Sequence, residues 1–267
     1  AYLCGVTSTS NLEAARTYAV PSAGTAAHSW TLSFSQPHGS DERAAFAAQI
    51  ARFGPDTTLL VDTFDITQGV ANAIEVAGPE LSAVRIDSGD LGVLARQVRQ
   101  QLDDLGATGT KIVVSGDLDE YAIASLRAEP VDIYGVGTAL VTGSGAPTAG
   151  MVYKLVEVDG IPVAKRSSHK TSLGGAKRAV RAARDTGTVV EEILYRDGRV
   201  APEPGDGLHV RELAIPLVRD GDRVADVPTL GQSRELLARG LVSLPWEGLG
   251  LSHGDPAIAT RYVTEAP

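Results

Sequence analysis

The residues of this 267-residue chain best suited to chemistry stand at the ends of four short apolar runs. The runs TLLVD (58–62), AVRID (83–87), KIVVS (111–115) and DIYGV (132–136) lead into Asp62, Asp87-Ser88-Gly89-Asp90, Ser115-Gly116-Asp117 and Gly135-Val136-Gly137-Thr138. Ser-Gly and Gly-x-Gly-Thr turns ahead of helices expose backbone N–H groups, which suit an anion such as phosphate. Asp87 and Asp90 suit a Mg²⁺ held through water beside phosphates. The plainer reading of each is a helix cap or a turn, but four in succession on one rim argue for a site. A fifth candidate, His28, stands alone in PSAGTAAHSW, where a structural role is the default for a single histidine.

The spacing of the runs defines the elements that would carry these residues. Helical patterns separate them: QGVANAIEVA, GDLGVLARQVRQQLDDLG and DEYAIASLRAE. In the second, Leu91, Leu94, Ala95, Val98 and Leu102 recur at helical spacing and Gly106 ends the pattern. Apolar strands alternating with helices predict βα units and a parallel sheet covered on both faces. In such sheets ligands bind at the C-terminal strand ends, where the polar residues lie. Upstream, NLEAARTYA and SDERAAFAAQIARFG read as helices, the second capped by Ser40 or Asp41. Beyond 150 the texture changes. MVYKLVEVDGIPVAKRS reads as a hairpin about Asp159-Gly160, VVEEILYRDGRVA as a strand with a second Asp-Gly turn, and TLGQSRELLARGLVSL as a helix. Residues 135–150 read as a long Gly/Ser/Thr loop.

Composition removes several function classes. A net charge of −9 disfavours nucleic acid or an anionic membrane as the bulk partner. The single cysteine, Cys4, excludes an internal disulfide and a Cys-based zinc site, and a cytoplasmic location is expected. No run reaches the ~18 apolar residues of a membrane span. There is no G-x-S-x-G elbow, no Walker A loop, no Rossmann fingerprint and no zincin-like pair of histidines. Residues 161–184 hold seven basic side chains and no acidic one. That stretch is either a solvated basic face or a collector of phosphorylated substrates.

As a set, the motifs resemble the nicotinate phosphoribosyltransferases, type II phosphoribosyltransferases of NAD salvage. The matching pieces are STSN (8–11), P-x-x-GTAAHSW (21–30), LVDTFDI (60–66), VRIDSGDL (84–91), KIVVSGDLDE (111–120), DIYGVGTALVT (132–142) and VYKLVEVDGIPVAKRS (152–167). The resemblance runs from residue 1 to about 185. It implies an irregular, incomplete (β/α) barrel over 1–190, with 191–267 returning to a second α/β sandwich-like domain. It implies ATP-coupled formation of nicotinate mononucleotide and pyrophosphate from nicotinate and phosphoribosyl pyrophosphate, with Mg²⁺. His28 would be transiently phosphorylated, and Asp87 would sit near the ribosyl centre or the metal. Thr25 and Arg85 would meet the pyridine carboxylate, with Asp62, Ser88 and Asp90 beside the substrate. Ser115, Gly116, Gly135, Gly137 and Thr138 would receive the 5′-phosphate. A homodimer is implied.

Family members carry a substantial portion ahead of the segment matching Ala1, so a C-terminal portion of the enzyme is expected, with the remainder cleaved, deleted or supplied in trans. Alternatives are a related enzyme acting on nicotinamide or quinolinate, a sugar-phosphate lyase or isomerase on a barrel, and a non-catalytic phosphate-binding fragment. No Schiff-base lysine stands at a strand end, since Lys111 begins its strand.

Overall fold

The computed structural model describes residues 1–34, 41–164, 173–252 and 254–263. The chain forms two compact units, Ser8–Ala149 and Ala1–Thr7 with Gly150–Pro267.

The 8–149 unit contains the βα series. Its elements are α1 (Leu12–Tyr18), α2 (His28–Leu32), α3 (Glu42–Phe53), β1 (Thr58–Leu60), α4 (Ile66–Ala77), β2 (Ala83–Ile86), α5 (Leu91–Asp104), β3 (Lys111–Val114), α6 (Glu120–Leu126), β4 (Ile133–Tyr134) and α7 (Thr138–Thr142). The four strands form one parallel sheet in the order β1-β2-β3-β4. Sequential order is the winding of a (β/α) barrel segment, whereas a doubly wound sheet reverses direction at a switch point. Among the described residues β1 and β4 are its edges.

Three of the four βα turns are closed by an aspartate, while α7 starts at Gly137 with no side-chain cap. Asp65 accepts from Gln68 N at 2.8 Å, Asp90 from Val93 N at 3.1 Å, and Asp119 from Ala122 N at 2.8 Å. Such caps satisfy N–H groups that a first helical turn leaves unpaired, typically worth ~1 kcal/mol each. Asp41 caps α3 in the same way. The periodic face of α5 goes where its spacing directs it, with Ala95, Val98 and Leu102 buried against Val84, Ile86, Ile112 and Val114. Fully burying an aliphatic side chain of this size contributes roughly 1.5–3 kcal/mol. Helix α4 lies so close to the chain after β1 that a Cβ on Gly69 would stand 2.1 Å from the Val61 carbonyl oxygen.

The other unit is mainly antiparallel. It holds a 3₁₀ turn (Tyr2–Cys4), β5 (Glu157–Val158), β6 (Ile161–Pro162), β7 (Lys177–Arg184), β8 (Val189–Arg196), β9 (Leu208–Glu212), β10 (Val218–Arg219), β11 (Asp222–Arg223), α8 (Leu230–Val242), a second 3₁₀ turn (Trp246–Leu249) and β12 (Ala259–Tyr262). Its main sheet runs β12-β8-β7-β9, with only β12 and β8 parallel. Val180, Ala182, Ile193 and Tyr195 form its small core.

Two expectations change. The division near residue 190 moves to 149–150, because residue 190 lies within β8, which pairs with β7 from Lys177↔Arg196 to Ala183↔Val189. The 135–150 stretch is also not loop throughout, since Thr138–Thr142 form a helical turn. The Asp159-Gly160 hairpin is present with two residues a side, both turn residues at positive φ, and α8 falls in the expected helix.

Candidate active site

Parallel pairing in common register brings the strand ends to one edge, and the side chains meet there. Arg85, near the end of β2, is the hub. Its Nε donates to Ser115 Oγ at 2.7 Å and its Nη1 to Thr25 Oγ1 at 2.6 Å. Its Nη2 donates to Asp87 Oδ1, which also receives the Ser115 hydroxyl. Three of the five guanidinium N–H donors are thereby used and two remain. Thr25 and Arg85 are sixty residues apart in sequence.

Asp87 faces three partners. Burial pushes its pKa up, but hydrogen bonds from Ser115 and Arg85, with the charges of Arg85 and His28, outweigh that and hold it below the usual carboxylate range. It is therefore ionised near neutral pH. Its Oδ2 lies 3.6 Å from His28 Nε2, while His28 Nδ1 lies 3.1 Å from Thr63 Oγ1. His28 is the first residue of α2, which is anchored where Trp30 Nε1 donates to the Ala45 carbonyl of α3 at 3.2 Å. The STSN and PSAGT segments are tied by Thr9 N to Pro21 O and Ala23 N to Thr9 O, both at 3.0 Å.

Asp62 braces the rim. Its Oδ2 accepts from Asp87 N at 2.8 Å and from the Ser88 hydroxyl at 3.1 Å, while its buried Oδ1 has no partner among the described residues. Ser88 is thereby oriented through Asp62. Asp90 is occupied as the cap of α5, so the plainer reading applies to its Oδ1. Among the described residues no group of three or more His, Cys, Asp or Glu is placed to hold a metal ion directly.

The expected phosphate residues divide into two groups. Ser115 N donates to Ile86 O at 3.0 Å, its hydroxyl is committed to Asp87, and Gly135 N donates to Val114 O at 2.8 Å. Neither Ser115 nor Gly135 keeps a free backbone donor. Gly116, Gly137 and Thr138 make no such backbone donation among the described residues. Gly116 has φ +112°, and a Cβ there would stand 2.5 Å from the Asp87 carbonyl oxygen, so this turn requires glycine.

The basic stretch is partly spent on its own sheet. Arg181 pairs with Glu192 at 2.5 Å, and Arg178 lies 4.0 Å from Asp197 and 3.9 Å from Glu212. Lys165, Arg166, His169 and Lys170 lie outside the described residues, as does His253. The residue that sequence reasoning missed is Thr63. Its only signal was its place beside Asp62 on a rim already marked as a site.

With this geometry in view, the sequence model of the nicotinate phosphoribosyltransferase (NAPRTase) family matches residues 2–189. The chain belongs to this family. A nicotinate phosphoribosyltransferase of Mycobacterium tuberculosis is 60% identical over 98% of the chain, which covers 58% of that relative. The chain thus spans less than two thirds of the length of the curated relative it matches. Human nicotinic acid phosphoribosyltransferase superposes with a TM-score of 0.68 at 26% identity, covering 92% of this chain and 60% of the other. A nicotinate-nucleotide pyrophosphorylase of Pyrococcus furiosus gives a TM-score of 0.76 at 25% identity, covering 91% and 60%. The family thus accounts for both the parallel βα series and the mixed α/β character of the chain. No helix among the described residues is long and apolar enough to cross a membrane.

Proposed function

We propose that the chain carries the catalytic rim of an enzyme joining nicotinate to phosphoribosyl pyrophosphate, releasing nicotinate mononucleotide and pyrophosphate with ATP hydrolysis coupled to the step. The observation that carries this reading is the convergence of Thr25, Arg85, Asp87, Ser115 and His28 at one sheet edge. Arg85 retains two N–H donors and Thr25 its hydroxyl proton, a forked set matched to a planar carboxylate. This favours nicotinate over nicotinamide, which has no carboxylate.

Displacement at the anomeric carbon develops positive charge on the ribose, and the ionised Asp87 is placed to oppose it. The 5′-phosphate is assigned to the turns at Gly116 and Gly137-Thr138, with Ser115 and Gly135 shaping the cup. His28 attacks the γ-phosphorus of ATP: a nitrogen–phosphorus bond forms, the bond to the β-phosphate oxygen breaks, and ADP leaves. Asp90 keeps a carboxylate oxygen beyond its cap, and Asp87 Oδ2 faces only His28 Nε2, at 3.6 Å, so the two carboxylates suit a Mg²⁺ held through water. Such an ion would neutralise the leaving diphosphate.

The second domain is completed, on this reading, by residues outside this chain. Met151, Val152 and Tyr153 are respectively 88%, 76% and 91% exposed, an apolar run that supports covering by another segment. A homodimer with the site near its interface, and a cytoplasmic location, belong to the same proposal. The exposed free Cys4 is compatible with a reducing compartment.

The test is formation of mononucleotide from nicotinate and from nicotinamide in parallel, with phosphoribosyl pyrophosphate, Mg²⁺ and ATP. Product from nicotinate alone is expected once the site is complete. Product from nicotinamide alone would overturn the assignment of Arg85. His28→Ala should abolish ATP stimulation while sparing a slow basal rate, and persisting stimulation would remove His28 from its role.

A further inference from the structure

Thr63 has no assigned part in the chemistry, yet it controls one edge of the imidazole. Its hydroxyl oxygen is 3.1 Å from His28 Nδ1. The opposite edge, Nε2, faces Asp87 Oδ2 at 3.6 Å. An ionised carboxylate can only accept hydrogen bonds, whereas a threonine hydroxyl can donate or accept. Asp87 is held in the ionised form by the Arg85 and Ser115 hydrogen bonds to its other oxygen. A neutral imidazole between such neighbours is best satisfied with its proton on Nε2, toward the carboxylate. Nδ1 then presents a lone pair, and only a donor can meet it. Thr63 is that donor.

We propose that Thr63 is a positioning residue: its O–H donates to His28 Nδ1 and, with Asp87 at the other edge, fixes one tautomer and one ring orientation of the neutral imidazole. Without it the ring keeps a partner on one side only, and rotation or exchange of the proton between nitrogens costs less. The role deepens the reading of His28 as the phosphorylated residue and rests on that reading for its catalytic meaning. Nε2 keeps its proton toward Asp87, Nδ1 is the nitrogen that attacks, and the Thr63 hydroxyl releases the Nδ1 lone pair as the γ-phosphorus takes its place. The tautomer itself does not depend on turnover.

The experiment uses the 267-residue chain with ¹⁵N-labelled histidine, observed by long-range ¹H–¹⁵N NMR at a pH where His28 is neutral. His28→Ala assigns the signals. The expected wild-type pattern is a single tautomer with Nε2 protonated and Nδ1 bare. Thr63→Val, isosteric but without the hydroxyl, should move Nδ1 and bring in the second tautomer, and Thr63→Ser should restore the wild-type pattern. The backbone spectrum of each variant checks that it is folded. A wild-type Nδ1 that carries the proton overturns the proposal, as does a Thr63→Val pattern identical to wild type. A valine variant that changes the pattern without rescue by serine also overturns it.

A second measurement separates this inference from the reading it rests on. With the site complete, Thr63→Val should lower ATP stimulation about tenfold, the scale of one lost hydrogen bond, with rescue by serine. If the tautomer responds as expected while His28→Ala leaves ATP stimulation intact, the positioning role stands and the phosphorylation of His28 falls.

Discussion

At the scale of single residues, the site depends on Arg85 being an arginine. Its guanidinium reaches Thr25, Ser115 and Asp87 at once from a strand position where the side chain is 20% exposed. Lysine has a point-like ammonium and cannot span three partners while keeping donors for a planar carboxylate. Arg85→Lys should therefore raise the KM for nicotinate by about ten- to a hundredfold, the effect of losing one or two charge-assisted bonds. Steady-state kinetics on the completed enzyme read this directly, and an unchanged KM would detach Arg85 from the base. Asp87 shows why a carboxylate can remain charged on a half-buried rim: burial opposes ionisation, but hydrogen bonds from Ser115 and Arg85, with the charges of Arg85 and His28, overcome it.

At the scale of elements, two contacts set how closely the parts of the βα unit approach. The turn after β3 passes the end of β2 so closely that Gly116 cannot carry a Cβ without displacing the Asp87 carbonyl. Gly116→Ala adds left-handed strain to that clash and should cost about 2–4 kcal/mol, measurable by denaturant unfolding. Between α3 and α4 lies the opposite situation, a buried polar bridge. Glu42 is buried, its Oε2 accepts from Asn72 Nδ2 at 2.9 Å, and its Oε1 has no partner among the described residues. Burial raises its pKa above 4.5, Asn72 lowers it and Asp65 raises it further. The folded state therefore holds this proton more tightly than the unfolded chain. Stability from this group is fully present below the unfolded pKa and is lost as pH rises through the folded value. Glu42→Gln keeps the acceptor for Asn72 without the charge. It should match or exceed the wild type by up to about 1 kcal/mol at pH 7, and the advantage should vanish toward pH 4. Thermal melts across that range check it, and an advantage that grows with acid would contradict the sign.

At the scale of the whole molecule, the first residues of the chain are tied to α8, and Arg234 makes the polar contacts. Arg234 of α8 donates to the carbonyls of Tyr2 at 2.7 Å, Gly5 at 2.8 Å and Val6 at 2.5 Å, and stacks 4.4 Å above the Tyr2 ring. Because the carbonyls lie more than 220 residues away, this contact closes the 1–7 and 150–267 unit. Arg234→Ala should free the first residues, with faster hydrogen exchange over 1–7 and a loss of about 1–3 kcal/mol from that unit. Exchange over β1–β4 should be unaffected. Equal acceleration in both units would show that they unfold together.

The sequence by itself determined the βα rhythm from 58 to 136, the caps at Asp41 and Asp90, the buried face of α5 and the rim at the strand ends. These follow from local periodicity and from residue types whose backbone preferences act within a few positions. The family was legible too, because its motifs are short and stand in order. The tertiary structure alone decided which side chains meet. Sequence spacing could not show that Arg85 would engage Thr25 and Ser115, that Asp62 would brace Asp87 and Ser88, or that Thr63 would reach His28. Nor could it show residues 1–7 joining the unit that begins at 150, or β12 pairing in parallel with β8. Those contacts depend on strand order and register, set by burial over the whole sheet, and a hydrogen bond between distant residues leaves no periodic trace in either segment.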